Sequence, residues 1–241
     1  MRQQVKIMHV PIDQVTLETA FYAFQRFMDG TSCRMIVTPN TEIVMEAQKD
    51  PDLLEIMKEA DLVIPDGIGL IYASKIQGTG LRERVTGVDL MYRILEYCHE
   101  NHKKIYLLGG KPGVAALAGQ NIRNKFPHIA VAGTQDGYFQ REEEGRIVEE
   151  INRSGAEILF VALGAPKQEK WIHRHKTLLQ VKVAMGVGGS IDIWAGTAKR
   201  APVIYQKLGL EWFYRLMKEP WRYKRMMALP KFMVKVLLGK K

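Results

Sequence analysis

EILFVALGAPKQEKW, Glu157 to Trp171, decides the fold. Its first eight residues, Glu157–Gly164, are nearly all apolar and do not alternate with polar ones, the pattern of a strand covered on both faces. Gly164 and Pro166 then break the run. A polar, helix-forming stretch follows, with Pro166 suited to its first position and Gln168 in its first turn. A doubly buried strand running straight into a helix is half of a β-α-β unit.

The same alternation recurs outward in both directions. Strand-like runs lie at Arg34–Thr38, Asp61–Pro65, Lys104–Gly109, Ile129–Gly133 and Val181–Val187. Helical spacing covers Thr16–Met28, Val88–Asn101, Pro112–Lys125 and Arg141–Arg153, and Asp50 with Pro51 reads as a helix start. These alternations predict an α/β fold, a Rossmann-like, mostly parallel sheet with helices on both faces. After Ala201 the strand signals stop. Two or three helices are expected, roughly Pro202–Lys218, Pro220–Ala228 and Pro230–Leu238, with prolines marking the breaks. The expected division is an α/β catalytic domain over residues 1–196 and a helical appendage over 197–241.

The charge divides at the same point. The 241 residues carry a formal net charge of +9. Residues 197–241 hold 12 Lys/Arg against 2 Asp/Glu, so the preceding body is close to neutral. A basic segment on a neutral body implies an anionic partner. Here Trp212, Phe213, Tyr214, Trp221 and Tyr223 interleave with Arg215, Lys218, Arg222, Lys224 and Arg225, and a largely apolar Met226–Leu238 follows. Aromatics among Lys and Arg on an amphipathic helix suit an anionic membrane surface rather than nucleic acid. The same apolar surface could instead cover the sheet or pair subunits into a homo-oligomer. With 46% hydrophobic residues the chain is not disordered, and two cysteines, Cys33 and Cys98, make no disulfide framework. The first residues lack the apolar stretch of a secretory signal and no run is long enough to span a bilayer, so a cytoplasmic or peripheral protein is expected.

Ligands of open parallel sheets bind where strands end. Four such places carry unusual residues. Thr38 and Asn40 in VTPNTE offer polar groups for a hydroxyl-rich ligand, or a turn and helix cap. Asp66 in IPDGIGL is a carboxylate beside an apolar strand, a candidate general base or an ordinary Asp-Gly turn. Gly109 and Gly110 in LLGGKPGVA lead into a helix whose amides could hold phosphate, or simply pack tightly. Gln168, with Asp192 in MGVGGSIDIWAG, could face a sugar or ribose, or sit in a first turn and a cap. No GxGxxG, P-loop, GxSxG or metal-spaced cluster is present. Asp50-Pro51-Asp52 matches a DxD metal pattern but precedes a helix, so capping is its expected role. His173 and His175, two apart, do not share a helix face.

Taken together, TPNTE, IPDGIG, RVTGVDL, LLGGKPG, TQDGYF, LGAPKQEKWI, GVGGSIDIWAGTAKRAP and GLEWFYRLMKEPWRYKR resemble the WecG/TagA/CpsF glycosyltransferases, in order from about residue 5 to about residue 230. The likeness is greatest to members that transfer N-acetylmannosamine in wall teichoic acid synthesis. The resemblance implies a peripheral enzyme on the cytoplasmic face of the membrane. It implies a UDP-sugar donor, a polyprenyl diphosphate-linked GlcNAc acceptor and inversion at the anomeric carbon, with no metal or other cofactor. Asp66 matches the family's proposed base. Thr38, Asn40, Arg84 and Gln168 match pocket positions, and Arg215, Arg222 and Arg225 match the basic appendage that meets membrane or diphosphate. Another UDP-sugar, such as the mannosaminuronic acid, is the alternative donor.

Overall fold

A computed structural model describes residues 2–239 except 219, 221, 222 and 224–226, and in Lys207 and Arg215 it describes the backbone alone. The expected sheet is present. Six parallel strands stand in the order β4-β3-β8-β7-β5-β6: β3 Arg34–Val37, β4 Leu62–Val63, β5 Lys104–Gly109, β6 Ala130–Gln135, β7 Ile158–Ala162 and β8 Val183–Gly186. Residues alternate between the two faces. Met35, Val37, Leu159, Val161 and Ala184 join one core, while Ile36, Ile158, Phe160, Val183 and Met185 join the other. This two-sided burial is why Glu157–Gly164 reads as an unbroken apolar run.

Helices α1 (Leu17–Met28), α5 (Gly87–Glu100), α6 (Val114–Lys125) and α9 (Ser190–Trp194) supply the second core. The first core takes α2 (Thr41–Ala47), α3 (Pro51–Glu59), α4 (Ile68–Gln77), α7 (Glu144–Arg153) and α8 (Lys167–His175). Asp50 caps α3, its Oδ1 accepting from Leu53 N–H at 3.1 Å, and Lys170 pairs with it at 2.5 Å. Both contacts hold its carboxyl below the usual range. The DxD-like pattern is therefore a cap, as expected. His173 and His175 reach different carboxylates, Glu59 and Glu144.

An element with no counterpart in the sequence reading is the antiparallel hairpin β1 (Gln4–Ile7) and β2 (Val10–Asp13). It covers the edge of the sheet. The buried Asp13 carboxylate accepts from Val63 N–H on β4 at 2.7 Å and is held by Arg2. An edge N–H that would otherwise await another strand is thereby satisfied.

The tail differs from expectation in its breaks. Pro202–Lys218 is two helices, α10 (Val203–Lys207) and α11 (Glu211–Lys218), parted at Gly209. Gly209 has φ +70°, and a Cβ there would lie 2.8 Å from Ile68 Cγ1. Close packing against α4 thus demands glycine, and the left-handed residue ends α10. The last helix, α12, runs Ala228–Leu238, with Pro230 inside its first turn where no N–H is required. Its Phe232 and Val236 are buried in the first core beside α2 and α4. The expected helix Pro220–Ala228 falls mostly outside the described residues.

Candidate active site

Because the six strands are parallel, their carboxyl ends form one edge, and the sequence candidates line it. Along the strand order come Asp66 after β4, Thr38 and Asn40 after β3, Gly186–Gly188 after β8, Gln168 after β7 and Gly109–Gly110 at the end of β5. Four inter-strand steps of about 4.8 Å separate the two ends of this row, roughly 19 Å.

At the β4 end, Asp66 occupies a half-buried turn, its N–H directed to Pro39 O at 3.2 Å and Ile64 O at 3.0 Å. The following Gly67 lies on Asn40, where a Cβ would be 3.2 Å from Asn40 Cα. Asn40 caps α2, its Oδ1 accepting from Ile43 N–H at 3.1 Å. Thr38, buried, donates to Gly186 O on the neighbouring strand at 3.1 Å. Thr38, Asn40 and Asp66 are therefore held in one constellation by two adjacent loops. Asn40 and Thr38 also perform the structural roles that short polar residues at strand ends commonly perform.

Gln168 enters from the first turn of α8 and is buried. Its Oε1 accepts from Gly188 N–H at 3.2 Å and its Nε2 donates to Glu169 Oε1 at 2.8 Å. A Cβ on Gly186 would lie 2.8 Å from Nε2, so β8 must end in glycine for this amide to fit. Burial pushes the Glu169 carboxyl up, against the opposing bond from Gln168. Among the described residues its Oε2 has no hydrogen-bond partner, which suits a neutral acid. Glu169 carries no signal in the sequence, since one Glu in a polar first turn looks exposed.

At the β5 end the glycines are required by packing. Gly109 has φ +125°, and a Cβ there would collide with Ala162 O at 2.3 Å. Gly110 N–H bonds to Ala162 O at 3.0 Å, and Gly110 O accepts from Gly137 N–H at 2.9 Å. The Gly110 amide is thus engaged within the protein. Among the described residues no side chain caps α6, and the first of its amides, Val114 N–H, bonds to Lys111 O at 2.9 Å. Asp192, half-buried in α9, receives Thr197 N–H and Ala198 N–H on its backbone carbonyl at 3.0 and 3.1 Å.

Arg84 approaches from the segment before α5. Val85 N–H bonds to Pro65 O at 3.1 Å, next to Asp66, and a Cβ on Gly87 would touch Thr38 Cγ2 at 3.3 Å. The Arg84 guanidinium is ion-paired with Glu211 of α11. Arg200 binds Asp89 in a fork at 2.6 and 2.7 Å and reaches Glu211 at 3.5 Å. Burial disfavours charge on Asp89, yet Arg200 and the Thr86 hydroxyl outweigh it and hold the carboxyl low. Thr86-x-x-Asp89 is legible as a cap; Arg200 and Glu211 carry no local signal. Of the tail arginines, Arg222 and Arg225 lie outside the described residues, as does the side chain of Arg215.

The residues along and beside this edge are a carboxylate, hydroxyl and amide groups, an arginine and a helix with no side-chain cap among the described residues, in a parallel α/β sheet. Residues 5–241 match the Glycosyl transferase WecG/TagA/CpsF family, and the chain belongs to it. The protein is a glycosyltransferase. It is 37% identical to the N-acetylglucosaminyldiphosphoundecaprenol N-acetyl-beta-D-mannosaminyltransferase of Bacillus subtilis (strain 168) over 91% of this chain and 85% of that protein. A protein of the same name from Staphylococcus aureus (strain MRSA252) is 35% identical over 99% of this chain and 94% of its own.

Proposed function

We propose that the protein transfers N-acetylmannosamine from UDP-N-acetylmannosamine to the 4-hydroxyl of GlcNAc on undecaprenyl diphosphate, with inversion and without a metal, in wall teichoic acid linkage-unit synthesis. The observation that carries this reading is the grouping of Asp66, Thr38 and Asn40 on two touching loops, in a chain similar along most of its length to transferases so named.

In the proposed reaction the Asp66 carboxylate takes the proton of the acceptor hydroxyl. The freed oxygen attacks the donor's anomeric carbon from the face opposite UDP. The C–O bond to the diphosphate breaks, and UDP leaves with the electron pair. Thr38, Asn40, Gln168 and Asp192 hold the sugars. The growing negative charge on the diphosphate falls to Arg84, which lies on the Asp66 side of the edge. The N-terminus of α6, about 19 Å along the row, serves the nucleotide end, with Gly109 and Gly110 shaping the turn that leads to it. Family resemblance is the ground for metal independence; activity unchanged by a chelator is the expected outcome.

Residues 1–196 are proposed as the catalytic domain and 197–241 as a membrane-binding appendage. No helix among the described residues is long and apolar enough to cross a membrane. Val203, Ile204, Leu208, Phe213 and Met217, on or next to α10 and α11, are exposed, and basic residues interleave with them in the sequence. That composition supports an interfacial mode on an anionic bilayer, with each basic residue contributing about 1 kcal/mol. Arg215, Arg222 and Arg225 are proposed to meet lipid or diphosphate, at the cytoplasmic face. A panel of UDP-sugars offered with a lipid diphosphate-GlcNAc acceptor tests the reading. Transfer from UDP-N-acetylmannosamine is expected, and preference for another donor would reassign the substrate.

A further inference from the structure

The contacts of Glu211 point beyond the tail's surface. α11 meets the body where the site's loops meet. Its preceding turn packs Gly209 on Ile68, two residues after Asp66. Its first residue, Glu211, reaches Arg84. The two side chains are 17% and 14% exposed, so the pair is largely shielded from water. Arg84 uses Nη2 for this bond, and its other donors make no hydrogen bond among the described residues. Glu211 is itself fixed from behind. Arg200 approaches it at 3.5 Å, the Asp89 fork locks Arg200, and Thr86 Oγ1 donates to Asp89 at 2.6 Å. Thr86 stands two residues from Arg84, so the chain of contacts closes into a ring. A long arginine side chain has many rotamers, and a carboxylate that is itself held removes most of them.

We propose that Glu211 is a positioning residue that holds the Arg84 guanidinium toward the substrate's diphosphate. The proposal rests on the transferase reading above. Two guanidiniums share Glu211, while Asp89 is occupied by the Arg200 fork and the Thr86 hydroxyl. Arg84 is thus oriented without having every donor engaged, which is what a residue awaiting an anionic substrate requires.

The test is a double-mutant cycle in the full-length protein with Glu211→Gln, Arg84→Gln and the pair, read as KM and kcat for the UDP-sugar. Glu211→Gln is expected to raise KM about five- to twentyfold, more than it lowers kcat. The double variant should lie within about twofold of Arg84→Gln alone, and Glu211→Asp should recover part of the loss. An unchanged KM with only a lowered Tm would reduce Glu211 to a structural contact and overturn the proposal. So would independent, multiplicative effects, or a KM that falls because Glu211 competes with diphosphate. If the wild type transfers no sugar, the functional reading fails. The same cycle read as UDP affinity by calorimetry then decides the role of Glu211: non-additive weakening supports it and additive or absent weakening overturns it.

Discussion

At the scale of single residues, Asp66, Thr38 and Asn40 share two touching loops, because Asp66 N–H bonds to Pro39 O at 3.2 Å and Gly67 packs on Asn40. Asp66, Thr38 and Asn40 were legible because polar residues directly after apolar strands are conspicuous. Their proximity to one another was not, since it depends on β3 and β4 being neighbours. Asp66→Asn should leave UDP binding intact and lower turnover by roughly 10²–10⁴-fold, measured by product formation beside a UDP titration. Glu169 offers a pH test. Its folded pKa is raised by burial, so stability is full below the unfolded value and is lost as pH rises through the folded value. Glu169→Gln keeps an oxygen for Gln168 and cannot ionise. It should therefore raise Tm relative to wild type at alkaline pH and do little near pH 4. Equal effects at both pH values would mean that Glu169 is not a buried neutral acid.

At the scale of elements, each of the six sheet strands was readable: β3, β4, β5, β7 and β8 are mostly buried and leave apolar runs, while the half-buried edge strand β6 shows in the short run Ile129–Gly133. The hairpin β1–β2 was not. Its strands are four residues each, and its turn uses Met8 and His9 at positive φ, where Asn or Gly would have signalled it. α4 also escaped. IGLIYASKIQ is apolar on most sides, so it lacks the polar stripe that marks a surface helix. Gly209 shows what a buried turn demands. Gly209→Ala should cost roughly 1–3 kcal/mol from the positive φ and the Ile68 contact, seen as a lower Tm. No change in Tm would mean that α10 and α11 are not held against α4. The Asp89–Arg200 fork joins α5 to the tail. Because the Asp89 carboxyl is held low, its contribution is present above the unfolded value near 4 and is lost as acid takes the pH through the folded value. Protease sensitivity between α9 and α11 should rise over that acidic range, and Asp89→Asn should show it already at neutral pH.

At the scale of the molecule, the basic tail has two sides. Its inner side belongs to the body: Phe232 and Val236 are buried in the core, Leu229 meets Gly69, and Glu211 grips Arg84. Removing residues 197–241 would expose that core, with roughly 1.5–3 kcal/mol at stake for a buried Phe alone. The outer side carries the exposed apolar residues, and among the described side chains Lys218 and Lys231 are exposed as well. Reversing charge there, with Lys218→Glu and Lys231→Glu, should weaken flotation with anionic vesicles and its salt dependence, and leave the fold intact by circular dichroism. Unaltered flotation would remove the membrane from the tail's role. The charge asymmetry was visible in the sequence; the division into an inner and an outer side was not, because it rests on contacts between residues more than a hundred positions apart.

The most direct measurement is transfer by wild type and Asp66→Asn from UDP-N-acetylmannosamine to a lipid diphosphate-GlcNAc acceptor, with the anomeric configuration of the product determined. The predicted result is a β-linked disaccharide lipid from the wild type and at least a hundredfold slower formation, by the usual range for a lost general base, from the variant. Near-normal turnover by Asp66→Asn, or a product with retained configuration, would contradict the mechanism.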